Sequence, residues 1–328
     1  MPCPPRARAL SAAAALALAA GCTSGARTSL PGSPPPPDAS ENSAAAAPDR
    51  LGVLVMAHGG RAEWNGQVRA SVSELGERIP LAVAFGMADP HTLQTALDEL
   101  GARGAGTIAV VRLFLSGDSF LHQTEFLFGL RPDPPARAMM GHRMVAGSDL
   151  PLLETEARIL MDLAGMAGSD QVNGIVLARA GGSSPDAPET GVLLIAHGMG
   201  AEEDDRRLLG AMERSAAELR TAGHGEVRTA TLREDWAEAR AAAEEEIRAT
   251  VSRMGGEWDH VVVIPYRVFG FGPYAEVLEG LDYVGTEGLL PHSLVGEWVA
   301  ARSSAVFCAA GLVPPLGPCQ AVPVPASR

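Results

Sequence analysis

The sequence predicts an α/β protein of two similar lobes, each a parallel sheet flanked by helices. Two observations carry this. Leu51-Gly-Val-Leu-Val-Met-Ala-His-Gly59 and Gly191-Val-Leu-Leu-Ile-Ala-His-Gly198 are nearly the same segment. Each is a short, wholly apolar run ending in Ala-His-Gly, the pattern of a buried parallel strand that turns sharply at glycine. After each run, helical and strand patterns alternate in the same order, which predicts a parallel sheet covered on both faces and an internal duplication.

The elements follow in pairs. Trp64, Val68, Val72 and Leu75 fall on one helical face, and Leu208, Met212, Ala216 and Leu219 repeat that spacing in the second half. Glu202, Glu203, Asp204 and Asp205 crowd the start of the second helix, where the helix dipole favours acids. Leu81 to Phe85 reads as a second strand, with Asp89 as N-cap and Pro90 at the first helical position. Leu93, Leu97 and Leu100 mark the face of that helix. In the second half, Val227 to Leu232 precedes a helix of Ala, Glu and Arg running through Ile247. Thr107 to Leu115 and His260 to Phe269 read as the third strands, and a loop and terminal helix close each half. The expected lobes are 51–165 and 191–303, joined by a linker at 166–190 containing Gly181-Gly182-Ser183-Ser184-Pro185, with a tail at 304–328.

Ahead of the lobes, Arg6, Arg8 and the apolar Leu10–Ala20 have the form of an export signal. It ends in Ala19-Ala20-Gly21-Cys22, similar to the lipobox of bacterial lipoproteins, although Leu18 stands one place early. Residues 1–22 are therefore expected to be a signal peptide and 23–50 a Pro-, Ser- and Ala-rich tether. The expected location is periplasmic or outer-membrane, with lipid on Cys22 as the sole membrane attachment. In an oxidising compartment Cys308 and Cys319 form a local disulfide, the alternative being two free thiols in a tail. A formal net charge of -13 argues against nucleic acid as a partner, because neutralising phosphates takes clustered Lys and Arg. Oligomeric state is not legible.

In open α/β sheets ligands bind at the carboxyl ends of the strands. His58 and His197 occupy that place, and the same residue at the same place in both halves points to function. The end of the third strand is the other rim position. There Arg112-Leu-Phe-Leu-Ser-Gly-Asp-Ser-Phe-Leu-His122 carries a histidine, whereas Pro265-Tyr-Arg-Val-Phe-Gly-Phe-Gly-Pro-Tyr274 does not. His122 is expected to face His58 across a cleft. Two imidazoles with open positions suit Co²⁺, Fe²⁺, Ni²⁺ or Zn²⁺. His91, His224 and His260 read as surface residues, and whether His142 and His292 approach the site is not legible.

Ala-His-Gly after an apolar strand, Phe85-Gly-Met-Ala-Asp-Pro90 and the Leu113-Phe-Leu-Ser116 strand end together resemble the class II tetrapyrrole chelatases. These are the sirohydrochlorin cobalto- and ferrochelatases of the CbiX/SirB type, and members with duplicated halves are known. The resemblance implies that a divalent metal (Co²⁺, Fe²⁺ or Ni²⁺) is held by histidines facing a cleft and passes into a tetrapyrrole, with no organic cofactor. It implies His58 and His122 as catalytic residues, and His58, His122 and His197 as metal ligands. In the second half Phe271, Pro273 or Tyr274 takes the position of the partner histidine, so that half is expected to lack a working pair. Some members add a carboxylate after the second strand, where this chain has Met87. Arg61 and Arg112 are the expected contacts for the carboxylates of the ring. The alternative is a periplasmic metal- or tetrapyrrole-binding protein without catalysis. A hydrolase using Ser116 or Ser119 ranks far lower, since no GxSxG elbow is present.

Overall fold

A computed structural model of the chain describes residues 50–141, 143–184, 186–317 and 319. The expected signal, the tether up to residue 49, Cys22 and His142 lie outside the described residues.

The first lobe runs β1 (Arg50–Ala57), α1 (Ala62–Ser71), α2 (Ser73–Arg78), β2 (Leu81–Phe85), α3 (Pro90–Ala102), β3 (Ala105–Leu113) and α4 (Leu121–Leu127). It continues through β4 (Arg137–Met140), β5 (Arg143–Ala146) and β6 (Arg158–Met161) to α5 (Asp170–Ser183). The second runs β7 (Thr190–Ala196), α6 (Glu202–Thr221), β8 (Glu226–Thr231), α7 (Ala237–Glu257) and β9 (His260–Pro265). It ends with α8 (Tyr274–Val277), β10 (Val284–Gly285) and α9 (Ser293–Ala309). One sheet has the order β2-β1-β3-β6 and the other β8-β7-β9-β10, all pairs parallel. The two orders are the same, so the duplication visible in the Ala-His-Gly segments extends to the whole sheet. β1 and β7 are central and buried on both faces, which is why they read as unbroken apolar runs.

Several elements differ from the sequence reading. The helix expected through Trp64 and Leu75 breaks at Val72, yet Val68, Val72 and Leu75 remain in the core. The fourth strands β6 and β10 are too short to show a period, and the antiparallel β4–β5 hairpin lies on the exterior. The stretch 166–190, expected as a linker, holds α5. Ser169 caps that helix by accepting from Val172 N–H (3.3 Å), and Val172, Ile175 and Val176 are fully buried against the second lobe.

α9 makes the reverse crossing. Most of it was expected in the second lobe and its last turn in the tail, but it packs on β3 and β6 of the first. Val295, Trp298, Val299 and Phe307 join one core with Val53, Val55 and Val111 of the first sheet and Val192, Leu194 and Ile264 of the second. The two lobes thus exchange helices and share their largest apolar cluster. A charged tie holds the exchange. Asp162, 1% exposed, accepts from Arg302 Nε at 3.1 Å on each oxygen and from Nη2 at 2.5 Å. The Cys308–Cys319 disulfide ties the last turn of α9 to the tail, with Cα atoms 5.7 Å apart. No helix among the described residues is long and apolar enough to cross a membrane.

Removing one member of a buried ion pair strands the other charge in a low dielectric. Arg302→Met should therefore lower stability by about 3 kcal/mol in urea unfolding, with Arg302→Lys recovering part of it. Equal stability of the Met variant would show that the pair does not anchor α9.

Candidate functional site

β1 and β7 end on one cleft of about 470 Å³ lined by residues of both lobes, among them His58 and His197. Each strand stops at glycine in the left-handed region, Gly59 at φ +73° and Gly198 at φ +91°. Neither position has room for a side chain: a Cβ on Gly59 would meet Phe85 Cβ at 2.8 Å, and one on Gly198 would meet Arg233 N at 3.0 Å. The glycine carbonyl then lies against the ring before it. His58 Nδ1 is 2.8 Å from Gly59 O, and His197 Nδ1 is 2.9 Å from Gly198 O. A carbonyl only accepts, so Nδ1 carries the proton in both rings. In a neutral ring this tautomer leaves the lone pair on Nε2.

The lobes differ in what stands near each histidine. Gly86 N–H donates to His58 O (2.9 Å), and Glu234 N–H donates to His197 O (3.1 Å). The residues after these two donors, Met87 and Asp235, both line the cleft. In the first lobe the position holds a thioether. In the second it holds a carboxylate: Asp235 Oδ2 lies 3.2 Å from His197 Nε2, with Glu234 Oε2 at 3.9 Å. Glu234 is 13% exposed and also faces Arg267 Nη1 at 3.4 Å. The signal was readable, since Glu234-Asp235 follows the second strand of the repeat.

His58 sits in an aromatic stack instead. Its ring lies 5.2 Å from Trp64 and nearly parallel to it, and Trp64 lies 5.4 Å from Phe269 in the same manner. This three-ring stack joins the lobes along one wall. His197 meets Trp236 edge-on at 6.0 Å. Trp64 Nε1–H is buried without an acceptor among the described residues. No group of three or more His, Cys, Asp or Glu is gathered as a metal cage among the described residues. What faces the cleft is an imidazole–carboxylate contact between His197 and Asp235, with Glu234 beside it.

Three expected residues lie elsewhere. His122 does not face His58. It is the second residue of α4, its Nε2 is 3.1 Å from Asp133 O, and it is outside the cleft lining. Phe120, in a left-handed turn at φ +53°, begins the helix and lines the cleft instead. Two residues on, a helix has turned by roughly 200°, which takes His122 to the other side. Arg61 is an exposed N-cap residue of α1 outside the cleft. Arg112 is 1% exposed and spends its donors on main-chain carbonyls: Asp162 O (3.3 Å), Ser119 O (2.9 Å) and Gly117 O (2.7 Å). Burial lowers its pKa, opposed by the Asp162 charge. It braces the loop after β3 and offers nothing to a ligand.

Of the other histidines, His292 caps α9, accepting from Leu294 N–H at 3.2 Å, and lines a separate groove. His224, expected at the surface, is 7% exposed, and burial lowers its pKa. His91 and His260 are exposed as expected. Ser116 and Ser119 line the cleft, but Ser116 Oγ accepts from Asp118 N–H (3.1 Å), and neither hydroxyl bonds a histidine among the described residues.

The architecture matches solved structures. SirB from Bacillus subtilis with Fe³⁺ superposes with a TM-score of 0.58 at 15% identity, over 81% of this chain and 99% of that one. The sirohydrochlorin chelatase SirB from Bacillus subtilis subspecies spizizenii, in complex with cobalt, gives 0.54 at 16% identity over 78% and 95%. This chain has the class II chelatase fold. No protein-family model matches its sequence, and no curated protein is significantly similar to it. Within this chelatase fold, the cleft lies where both sheets present their carboxyl ends, and the two Ala-His-Gly turns are its paired strand tips.

The geometry predicts the order of importance for metal. In Co²⁺ titrations, His197→Ala and Asp235→Asn should each weaken binding about tenfold or more, since each removes one of two convergent donors. His122→Ala should leave it unchanged. A silent His197→Ala would move the ion away from the second lobe.

Proposed function

We propose that this protein is a chelatase that places a divalent metal, Co²⁺, Fe²⁺ or Ni²⁺, into a tetrapyrrole of the sirohydrochlorin type. The observation that carries the reading is the pair of His197 Nε2 and Asp235 Oδ2, 3.2 Å apart, facing an aromatic-walled cleft on a chelatase fold. Metal insertion replaces two pyrrole N–H protons by bonds to one dication. The site must hold the ion loosely enough to release it and must accept protons from the ring. A neutral imidazole and a carboxylate suit the first task, with the second carboxylate of Glu234 adding charge that favours a dication. His58, with its Nε2 lone pair kept open by the same carbonyl lock, is the proton acceptor from the first lobe. The His58, Trp64 and Phe269 rings add apolar surface to the cleft for a conjugated ligand to pack against. Metal capture thus belongs to His197 and Asp235, and proton removal to His58. This reverses the expected division, in which the second half lacked a pair.

The test mixes the protein with sirohydrochlorin and Co²⁺ and follows the ring absorption. Wild type should convert the ring over many turnovers. His197→Ala should slow it by about 100-fold or more, and His58→Ala by a smaller factor within the usual range for a general base. Binding of ring and metal without turnover would favour the non-catalytic reading.

Export and lipidation at Cys22 are part of the same proposal. They are supported by the Ala19-Ala20-Gly21-Cys22 sequence and by the Cys308–Cys319 bond, which persists in oxidising compartments. Cys22→Ser should shift the protein from the membrane fraction to the soluble one. Wild type already soluble after cell breakage would contradict the anchor.

A further inference from the structure

The cleft has a second compartment. On the far side of the loop Leu115 to Asp118 lies a cavity of about 330 Å³ that shares Leu115, Ser116, Asp118 and Leu208 with the cleft. Arg207 and Arg214 of α6 and Arg302 of α9 line it. Its backbone edge is closely packed: a Cβ on Gly117 would meet Leu163 O at 2.5 Å, and one on Gly165 would meet Leu115 O at 2.3 Å. Arg112 holds the dividing loop through the Gly117 and Ser119 carbonyls, so the boundary between the compartments is fixed.

The three guanidinium groups are not equally committed. Arg302 is matched by buried Asp162. Arg207 meets Asp118 Oδ2 at 3.1 Å and also pairs with Asp204 and Glu203 of its own helix. Arg214 is held by neutral acceptors, with Nε 3.2 Å from Gly168 O and Nη2 3.2 Å from Ala167 O. Main-chain carbonyls orient it without cancelling its charge. By contrast, the single arginine of the main cleft, Arg267, already faces Glu234, and the rest of that lining is mostly apolar.

We infer that the arginine compartment is a carboxylate subsite, taking acidic arms from the rim of the ring bound in the adjoining cleft, with Arg214 as its main contact. This rests on the tetrapyrrole reading above. A ring with acidic arms brings anions to a chain of net charge -13, and long-range repulsion must be offset locally. Apolar walls take the faces of the ring. They leave carboxylates unsatisfied, and those carboxylates find paired N–H donors in the arginine compartment. Asp118 already places a carboxylate against Arg207 Nη2 from the dividing loop, as an arm of the ligand would from the cleft.

The test uses the full chain and follows quenching of its tryptophan emission by uroporphyrin III, whose rim carries only acetate and propionate arms. A cationic pyridinium porphyrin serves as the charge-inverted control. Arg214→Gln should weaken uroporphyrin binding about tenfold, Arg214→Lys should retain part of the affinity, and Asp118→Asn should tighten binding. Neither Arg214 variant should weaken binding of the cationic ring or of Co²⁺. Uroporphyrin binding indifferent to Arg214→Gln overturns the subsite and leaves the chelatase reading intact. Equal loss for both rings also overturns it, as a structural effect. A wild-type protein that binds neither ring overturns the subsite and the tetrapyrrole reading together.

Discussion

A backbone carbonyl turned onto the preceding imidazole is the contact on which this site depends. At both strand tips a left-handed glycine brings its oxygen to Nδ1, at 2.8 Å for His58 and 2.9 Å for His197. That bond selects one tautomer, orients the ring and reserves Nε2 for chemistry. It also explains the repeated His-Gly: another residue after the histidine would have to tolerate positive φ and find room where Phe85 or Arg233 packs. The lock is the same in both lobes. They differ in the loop after the second strand, where Met87 lines the cleft in one lobe and Asp235 in the other.

The exchange of α5 and α9 gives the two tips a common frame. Each lobe is completed by a helix from the other part of the chain, and the shared core extends through both sheets. A core of close-packed side chains resists sliding, so His58 and His197 are set relative to one another by packing and not by a flexible hinge. The Asp162–Arg302 tie stands at the point where α9 meets the end of β6, beside the arginine compartment. Packing and charge thus meet at the rim of the cleft.

Much of this was legible in the sequence. The duplicated apolar run gave the central strands and both histidines, and spacing of apolar residues gave the major helices. What escaped depends on long-range placement. Nothing local in Val295 to Phe307 says which lobe it covers. Arg112 reads as a rim cation because a single strand does not reveal that its neighbours bury it. His122 was placed by its distance along the chain, yet the left-handed turn at Phe120 sets the phase of the helix. Asp235 escapes because the resemblance points to a carboxylate at Met87, in the half that also has a second histidine.

The central proposal is metal capture by the second lobe. Anomalous diffraction from crystals of the protein soaked in Co²⁺ would locate the ion directly. The account predicts density within bonding distance of His197 Nε2 and Asp235. Density bonded to His122, or to His58 with none near His197, would contradict it.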